Sequence, residues 1–260
     1  LLPAGLSNRI IQSVMFQLYK FMARRAPKVV AYSDDYADNS YYLQPFRDKV
    51  QVIYPPITMP EPNLEHAKQL RVEWAPEGGP VIGYAGRFVQ EKRPDLLIRS
   101  LEIIRQKYPN ARIVFAGQYD IPYENTWELY KPIVDQYKDS LVFLGLMNDM
   151  QFMADFFAAC DMLALTSDSE CFALVQVEAM LCGIPVVMSN TPGGRVPVQK
   201  TGMGKLTEKG SWESIGNAIV DVLDHPDQYR KSHDEIESIF SFKETVDRYE
   251  NLFREYAAEK

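Results

Sequence analysis

The sequence predicts an α/β protein built on a doubly wound parallel sheet. Three observations lead there. From about residue 80, short apolar segments alternate with longer amphipathic ones at regular spacing. The short segments are continuous apolar runs, the pattern of strands covered on both faces. The longer segments place apolar residues every three or four positions, as crossover helices do.

The elements follow in order. Ser7 is placed to cap a helix over 7–26, in which Ile10, Ile11, Val14, Met15, Leu18 and Met22 recur at helical spacing. Residues 28–32 are apolar and β-branched, a short buried strand. Ser33-Asp34-Asp35 opens a second helix, and 49–54 reads as a strand. Pro55, Pro56, Pro60 and Pro62 then stiffen the chain, which sets a boundary between units 1–57 and 58–260. In the second unit the strands are 81–84, 111–116, 141–144, 162–165 and 185–188. Its helices are 94–107, 123–137, 150–159, 172–182 and 212–223. Pro94 suits a first helical turn, where its missing N–H has no partner. A last amphipathic helix, 241–258, is expected to return toward the N-terminal part.

Composition excludes several classes. The 260 residues are 46% hydrophobic and 24% charged, ordinary for a soluble globule and unlike a disordered chain. A net charge of −7 argues against a nucleic-acid binder. No apolar run reaches the ~20 residues of a membrane span. Cys160, Cys171 and Cys182, spaced by eleven, fit neither a disulfide framework nor a zinc site and read as core thiols. Cys171, near a helix start, is the candidate reactive thiol. A reducing, cytoplasmic setting is expected. His66, His225 and His233 fall in polar helical stretches and read as surface residues. The start lacks an initiator Met and a signal-peptide pattern, and so reads as a fragment or a processed product.

In a doubly wound sheet, ligands sit outside the carboxyl ends of the strands. Two loops there stand out. The first is Gly83-Tyr-Ala-Gly86-Arg87-Phe-Val-Gln-Glu-Lys92-Arg93-Pro94. Glycine at a strand end lets backbone approach an anion. Arg87 and Lys92 can both reach one phosphate, and the next helix adds its positive end. A plain glycine turn with solvated cations is the other reading. The second loop runs from Thr166 through Glu170-Cys-Phe-Ala-Leu174-Val175 to Glu178. Its free N–H groups over 172–175 can hold a phosphate. Glu178 can accept hydrogen bonds from a ribose diol, and Glu170 from hydroxyls beyond the phosphate. Spacing alone favours the plainer reading of a dipole-stabilised acid and an exposed helix residue. Asp168 and Glu170 alone do not make a metal site.

At these two loops the sequence resembles the family 4 (group 1) retaining glycosyltransferases of GT-B fold. The resemblance rests on Gly86-Arg87 with Glu91-Lys92, on Phe143-Leu-Gly145, on Glu170…Glu178-Ala-Met-Leu-Cys-Gly-Ile-Pro-Val, and on Thr191-Pro-Gly-Gly194. It spans about residues 28–260. The implied fold is the Rossmann-like C-terminal half of a GT-B protein, with 1–57 as a remnant of the N-terminal acceptor domain. The implied function is retaining, metal-independent transfer of a hexosyl group from a UDP- or GDP-linked sugar to a sugar, glycan or lipid.

By resemblance, Arg87 and Lys92 neutralise the donor diphosphate and Glu170 holds the transferred sugar. Those three form the catalytic set. Gly86, Phe172, Ala173, Leu174, Val175 and Glu178 complete the donor site, with Gly145 and Leu146 along the base. No metal or other cofactor is implied. The family's Glu-Gly-Phe-Gly-Leu stands here as Glu170-Cys-Phe-Ala-Leu174, which crowds backbone that glycine leaves open. No residue matches the acceptor-domain histidine, so weak or no transfer by this chain alone is expected.

Two rival readings remain: a non-catalytic sugar-nucleotide module that needs a partner, and a nicotinamide-dependent oxidoreductase. The second is disfavoured because 83–88 reads Gly-Tyr-Ala-Gly-Arg-Phe and not G-x-G-x-x-G. Helix 7–28 carries Arg9, Lys20, Arg24, Arg25 and Lys28 and no acid. Its apolar face is expected to pack within the N-terminal unit. Peripheral membrane contact, or homodimerisation through an uncovered face, are the alternatives.

Overall fold

The computed structural model describes residues 6–122 and 124–258. The N-terminal unit holds α1 (Leu6–Arg25), β1 (Val29–Ala31), α2 (Asp34–Asn39) and β2 (Val50–Val52), with β1 and β2 paired in parallel. Lys49 Nζ donates to the carbonyls of Arg24 and Ala26, at 2.8 and 3.1 Å, and so satisfies the last turn of α1. Helix α2 is capped by the Ser33 hydroxyl, which accepts from the Tyr36 N–H.

The larger unit runs α3 (Leu64–Trp74), β3 (Val81–Ala85), α4 (Pro94–Lys107), β4 (Arg112–Ala116), α5 (Thr126–Gln136), β5 (Leu141–Gly145), α6 (Met150–Ala159), β6 (Met162–Leu165), α7 (Leu174–Leu181), β7 (Val186–Ser189), α8 (Val196–Thr201), β8 (Gly204–Thr207), α9 (Trp212–Asp224), α10 (Pro226–Tyr229), α11 (His233–Ile239) and α12 (Phe242–Ala258). The six strands from β3 to β8 are parallel, in the order β5-β4-β3-β6-β7-β8. Every residue of β3, β6 and β7 is buried, as expected of strands with helices on both faces. One core sets Trp74 and Phe156 with Met180 beneath α3, α6 and α7. The other sets Leu97, Leu101 and Ile219 beneath α4 and α9. Fold class is therefore α/β, with a doubly wound parallel sheet.

Several sequence expectations need correcting. The helix over 172–182 begins at Leu174, because Ala173 takes a left-handed conformation. That over 123–137 begins at Thr126, and Tyr123 lies outside the described residues. Ser7 falls within α1 instead of ahead of it, and its side chain is likewise outside the description. Strand β8 went unread because Gly204-Lys-Leu-Thr207 holds one large apolar residue and sits at the sheet edge. Helices α3, α8, α10 and α11 also add to the prediction.

The apolar face of α1 does not pack: Ile10, Ile11, Val14, Leu18 and Met22 are all exposed. Among the described residues no helix is long and apolar enough to cross a membrane. Arg248 Nη2 of α12 donates to Val52 O of β2 at 2.7 Å.

Candidate functional site

The strand order reverses between β3 and β6: the chain first winds out to β5, then crosses back to β6. At such a switch point the crossovers diverge and leave a crevice. A cleft of about 390 Å³ lies there, bordered by Ala85 at the end of β3, by Gly86 just beyond it and by Leu165 of β6.

The loop after β3 is held on both sides. Gly117 packs so closely that a Cβ there would stand 2.1 Å from Gly86 O, so only glycine fits. The Tyr84 hydroxyl donates to Arg87 O at 3.0 Å. Burial pushes the Tyr84 phenol well above its ordinary range, and the negative charge of Glu170 pushes the same way. A 3-10 turn, Gln90–Lys92, then leads to Arg93, which is left-handed at φ +49°. Arg93 is clamped two-point on Asp95, and its Nη1 lies 3.5 Å from Asp168. The Asp168 N–H donates to Glu91 O at 2.8 Å. The buried Thr166 hydroxyl lies 2.9 Å from Lys92 O and 2.7 Å from Arg93 O. These bonds staple the β3 loop to the β6 loop.

They also place Lys92 Nζ 2.5 Å from Glu170 Oε1, with Ser167 Oγ donating to the same oxygen at 2.7 Å. Both charged side chains are largely shielded, so the pair is screened less than a surface pair. Glu170 forms a parallel bridge with Gly193. Gly193 sits at φ +78°, and a Cβ there would meet Cys171 O at 2.4 Å.

Helix α7 opens on this cleft. Among the described residues no side chain caps its N-terminus, so the first N–H groups and the positive end of the dipole border the space lined by Leu174 and Val175. Phe172 anchors the turn, buried against the rings of Tyr54 and Phe240 at 5.7 Å from each. Glu178 borders the cleft about one turn into α7, nearer the mouth than a start at 172 implies. Its carboxylate has no hydrogen-bond or ion-pair partner among the described residues, and burial pushes the carboxyl up.

Of the residues expected in the site, Gly86, Lys92, Glu170, Phe172, Ala173, Leu174, Val175 and Glu178 line this one cleft. Arg87 does not: it is exposed beside the cleft. Gly145 and Leu146 do not either. Gly145 ends β5 and Leu146 follows it, two strands from β3, and Gly145 O accepts from the Gly117 N–H at 2.8 Å.

Tyr32 and Cys171 line the cleft without having been assigned to it. Tyr32 just follows β1, so the rule about carboxyl ends of strands also finds it. Of the three cysteines only Cys160 is fully buried, and Cys171 is exposed, which corrects the core-thiol reading. His66 is half-buried, with Nδ1 2.7 Å from the buried Asp155, and ties α3 to α6. The cleft thus gathers an ammonium, a helix mouth and two carboxylates, a set that suits a diphosphate flanked by hydroxyls.

Comparisons with known proteins bear on the fold and the family. The chain is 28% identical over 206 residues to the D-inositol 3-phosphate glycosyltransferase of Mycolicibacterium smegmatis, covering 77% of this chain and 46% of that one. It is 28% identical over 154 residues to a GDP-mannose-dependent monoacylated alpha-(1-6)-phosphatidylinositol monomannoside mannosyltransferase of Corynebacterium glutamicum, covering 56% and 39%. The chain therefore spans under half the length of these two curated relatives. Among solved structures, sucrose-phosphate synthase from Thermosynechococcus elongatus superposes with a TM-score of 0.80 at 20% identity, covering 95% of this chain and 63% of that one. Anabaena HepE in complex with UDP and glucose does so with a TM-score of 0.79 at 22% identity, covering 92% and 66%. These likenesses show the GT-B type of fold. The family model described as glycosyl transferases group 1 matches residues 66–237, and the chain belongs to that family.

Proposed function

We propose that the chain supplies the donor site for retaining transfer of a hexosyl group from a nucleoside diphosphate sugar. One observation carries this reading: the Lys92–Glu170 pair, the uncapped mouth of α7 and the unpartnered Glu178 share a single cleft. Lys92 offers its charge to the diphosphate, while Glu170 turns to the hydroxyls of the transferred sugar. The α7 N–H groups take the distal phosphate and Glu178 the ribose diol. Arg87, exposed beside the cleft, adds positive charge near the diphosphate.

In the reaction the bond from the anomeric carbon to the diphosphate breaks, and negative charge grows on the departing oxygen. Fixed positive charge at that point lowers the barrier and takes the place of a metal. The acceptor oxygen bonds to the anomeric carbon from the same face and gives up its proton to the departing phosphate. Either UDP or GDP suits the site, since the cleft residues address phosphate, ribose and sugar. The three unpaired cysteines suit the reducing cytoplasm.

Calorimetry with UDP, GDP and NAD tests the reading. UDP or GDP binds and NAD does not, and Lys92→Ala weakens the diphosphate about tenfold, or ~1.4 kcal/mol. Binding of NAD alone, or an unchanged Lys92→Ala affinity, overturns it. Turnover is a separate measurement, best made with and without an acceptor-domain chain.

A further inference from the structure

A second cavity of about 500 Å³ adjoins the donor cleft and shares Glu170 and Cys171 with it. One wall is aromatic. Phe16 of α1 meets Tyr41 edge-on at 5.5 Å and lies nearly parallel to Tyr42 at 6.2 Å. Tyr36 of α2 completes that wall. Tyr41 is 60% exposed, which leaves its ring open to a ligand.

The rest of the lining is rich in oxygen. Glu91, Asp168 and Glu170 border the cavity with Thr191. Thr191 is fully buried, and its Oγ1 has no hydrogen-bond partner among the described residues. None of the described residues lining this cavity is Lys, Arg or His. The two cations nearest in bonding terms, Lys92 and Arg93, are engaged by Glu170 and Asp168 and lie outside the lining.

We propose that this cavity is the acceptor subsite, and that it takes an uncharged saccharide while rejecting phosphorylated and carboxylated ones. The inference rests on the donor reading, because Glu170 joins the two spaces. A pyranose presents an apolar C–H face to the open tyrosine ring and its hydroxyls to the carboxylates of the same cavity. An anionic acceptor meets carboxylates and no counter-charge in a partly dry space. Like-charge repulsion and lost hydration then act against it.

The test uses methyl glucoside and methyl mannoside, and the 6-phosphate of each, as probes. Saturation-transfer NMR and titration are run on the chain with UDP or GDP present. The neutral glycosides bind at least tenfold more tightly than their phosphates. Tyr41→Ala weakens the neutral glycosides about tenfold and leaves nucleotide affinity unchanged. Glu91→Lys narrows the gap between neutral and phosphorylated probes. Phosphates that bind as tightly as the neutral sugars, neutral sugars that fail to bind, or indifference to Tyr41→Ala each overturn the proposal. If the glycosides behave as expected while neither nucleotide binds, the donor reading alone falls.

Discussion

Arg195, at the start of α8, clasps Asp35 of α2, with Nε 3.0 Å from Oδ2 and Nη2 2.5 Å from Oδ1. Asp35 also accepts from the Gly193 N–H at 2.7 Å, and Gly193 bridges Glu170. One carboxylate of α2 thus braces the backbone beside the donor cleft. Burial pushes the Asp35 carboxyl up, but the bonds from Arg195 and Gly193 together outweigh it and hold it below its ordinary value. A depressed carboxyl stabilises the fold above the unfolded pKa of ~3.9 and loses that contribution as pH falls through the lower folded value. Asp35→Asn should therefore cost about 1–3 kcal/mol at pH 7, with the gap to the parent shrinking below pH ~4. Urea unfolding at both pH values measures this, and a gap that does not depend on pH would refute it.

Ala173 sits at φ +58°, ψ 74°, the left-handed region where Cβ crowds the carbonyl oxygen. Ala173→Gly removes that strain but raises the entropy of the unfolded chain. The net expectation is about 0.5–1 kcal/mol of added stability. An increased urea midpoint at unchanged slope is the expected readout. A destabilised variant would show that the methyl group gains more from packing than the backbone loses.

How far the chain could be read without coordinates follows from where its signals are local. Val81–Ala85 and Met162–Leu165 announce themselves as unbroken apolar runs, and the switch point falls between them. Lys92, Glu170 and Glu178 were legible because each lies on a loop or first turn just past such a strand. The Asp35–Arg195 clasp was not, since it joins residues 160 apart and nothing local marks Asp35 as more than a first-turn acid. Cys171 was misread because a thiol's usual burial outweighed its place one residue past Glu170. Gly145 and Leu146 came from resemblance alone, and the structure sets them two strands away from β3.

Glu178 gives a prediction in which stability and binding move oppositely. Burial raises its carboxyl, and no partner among the described residues compensates. An acid raised in the folded state makes stability fall as pH rises from the unfolded value of ~4.3 through the folded one. Glu178→Gln removes that dependence and should stabilise the empty protein at neutral pH. It should also weaken UDP or GDP about tenfold, because an amide is a poorer acceptor for a ribose diol. Thermal unfolding and calorimetry on the same samples decide the matter. A variant weakened in both respects would place Glu178 in the core's support instead of the ligand's.

Thr166 tests whether the stapled loops matter for binding. Its hydroxyl lies within reach of the carbonyls of Lys92 and Arg93 from a buried position, so valine of similar shape removes the one donor that the two carbonyls share. The expected cost is about 1–2 kcal/mol of stability. If the hydroxyl also aims Lys92, Thr166→Val should weaken the nucleoside diphosphate several-fold. That loss should vanish in a Lys92→Ala background, since residues acting on one contact are not additive. A loss that persists fully without Lys92 would mean that Thr166 supports the cleft by another route.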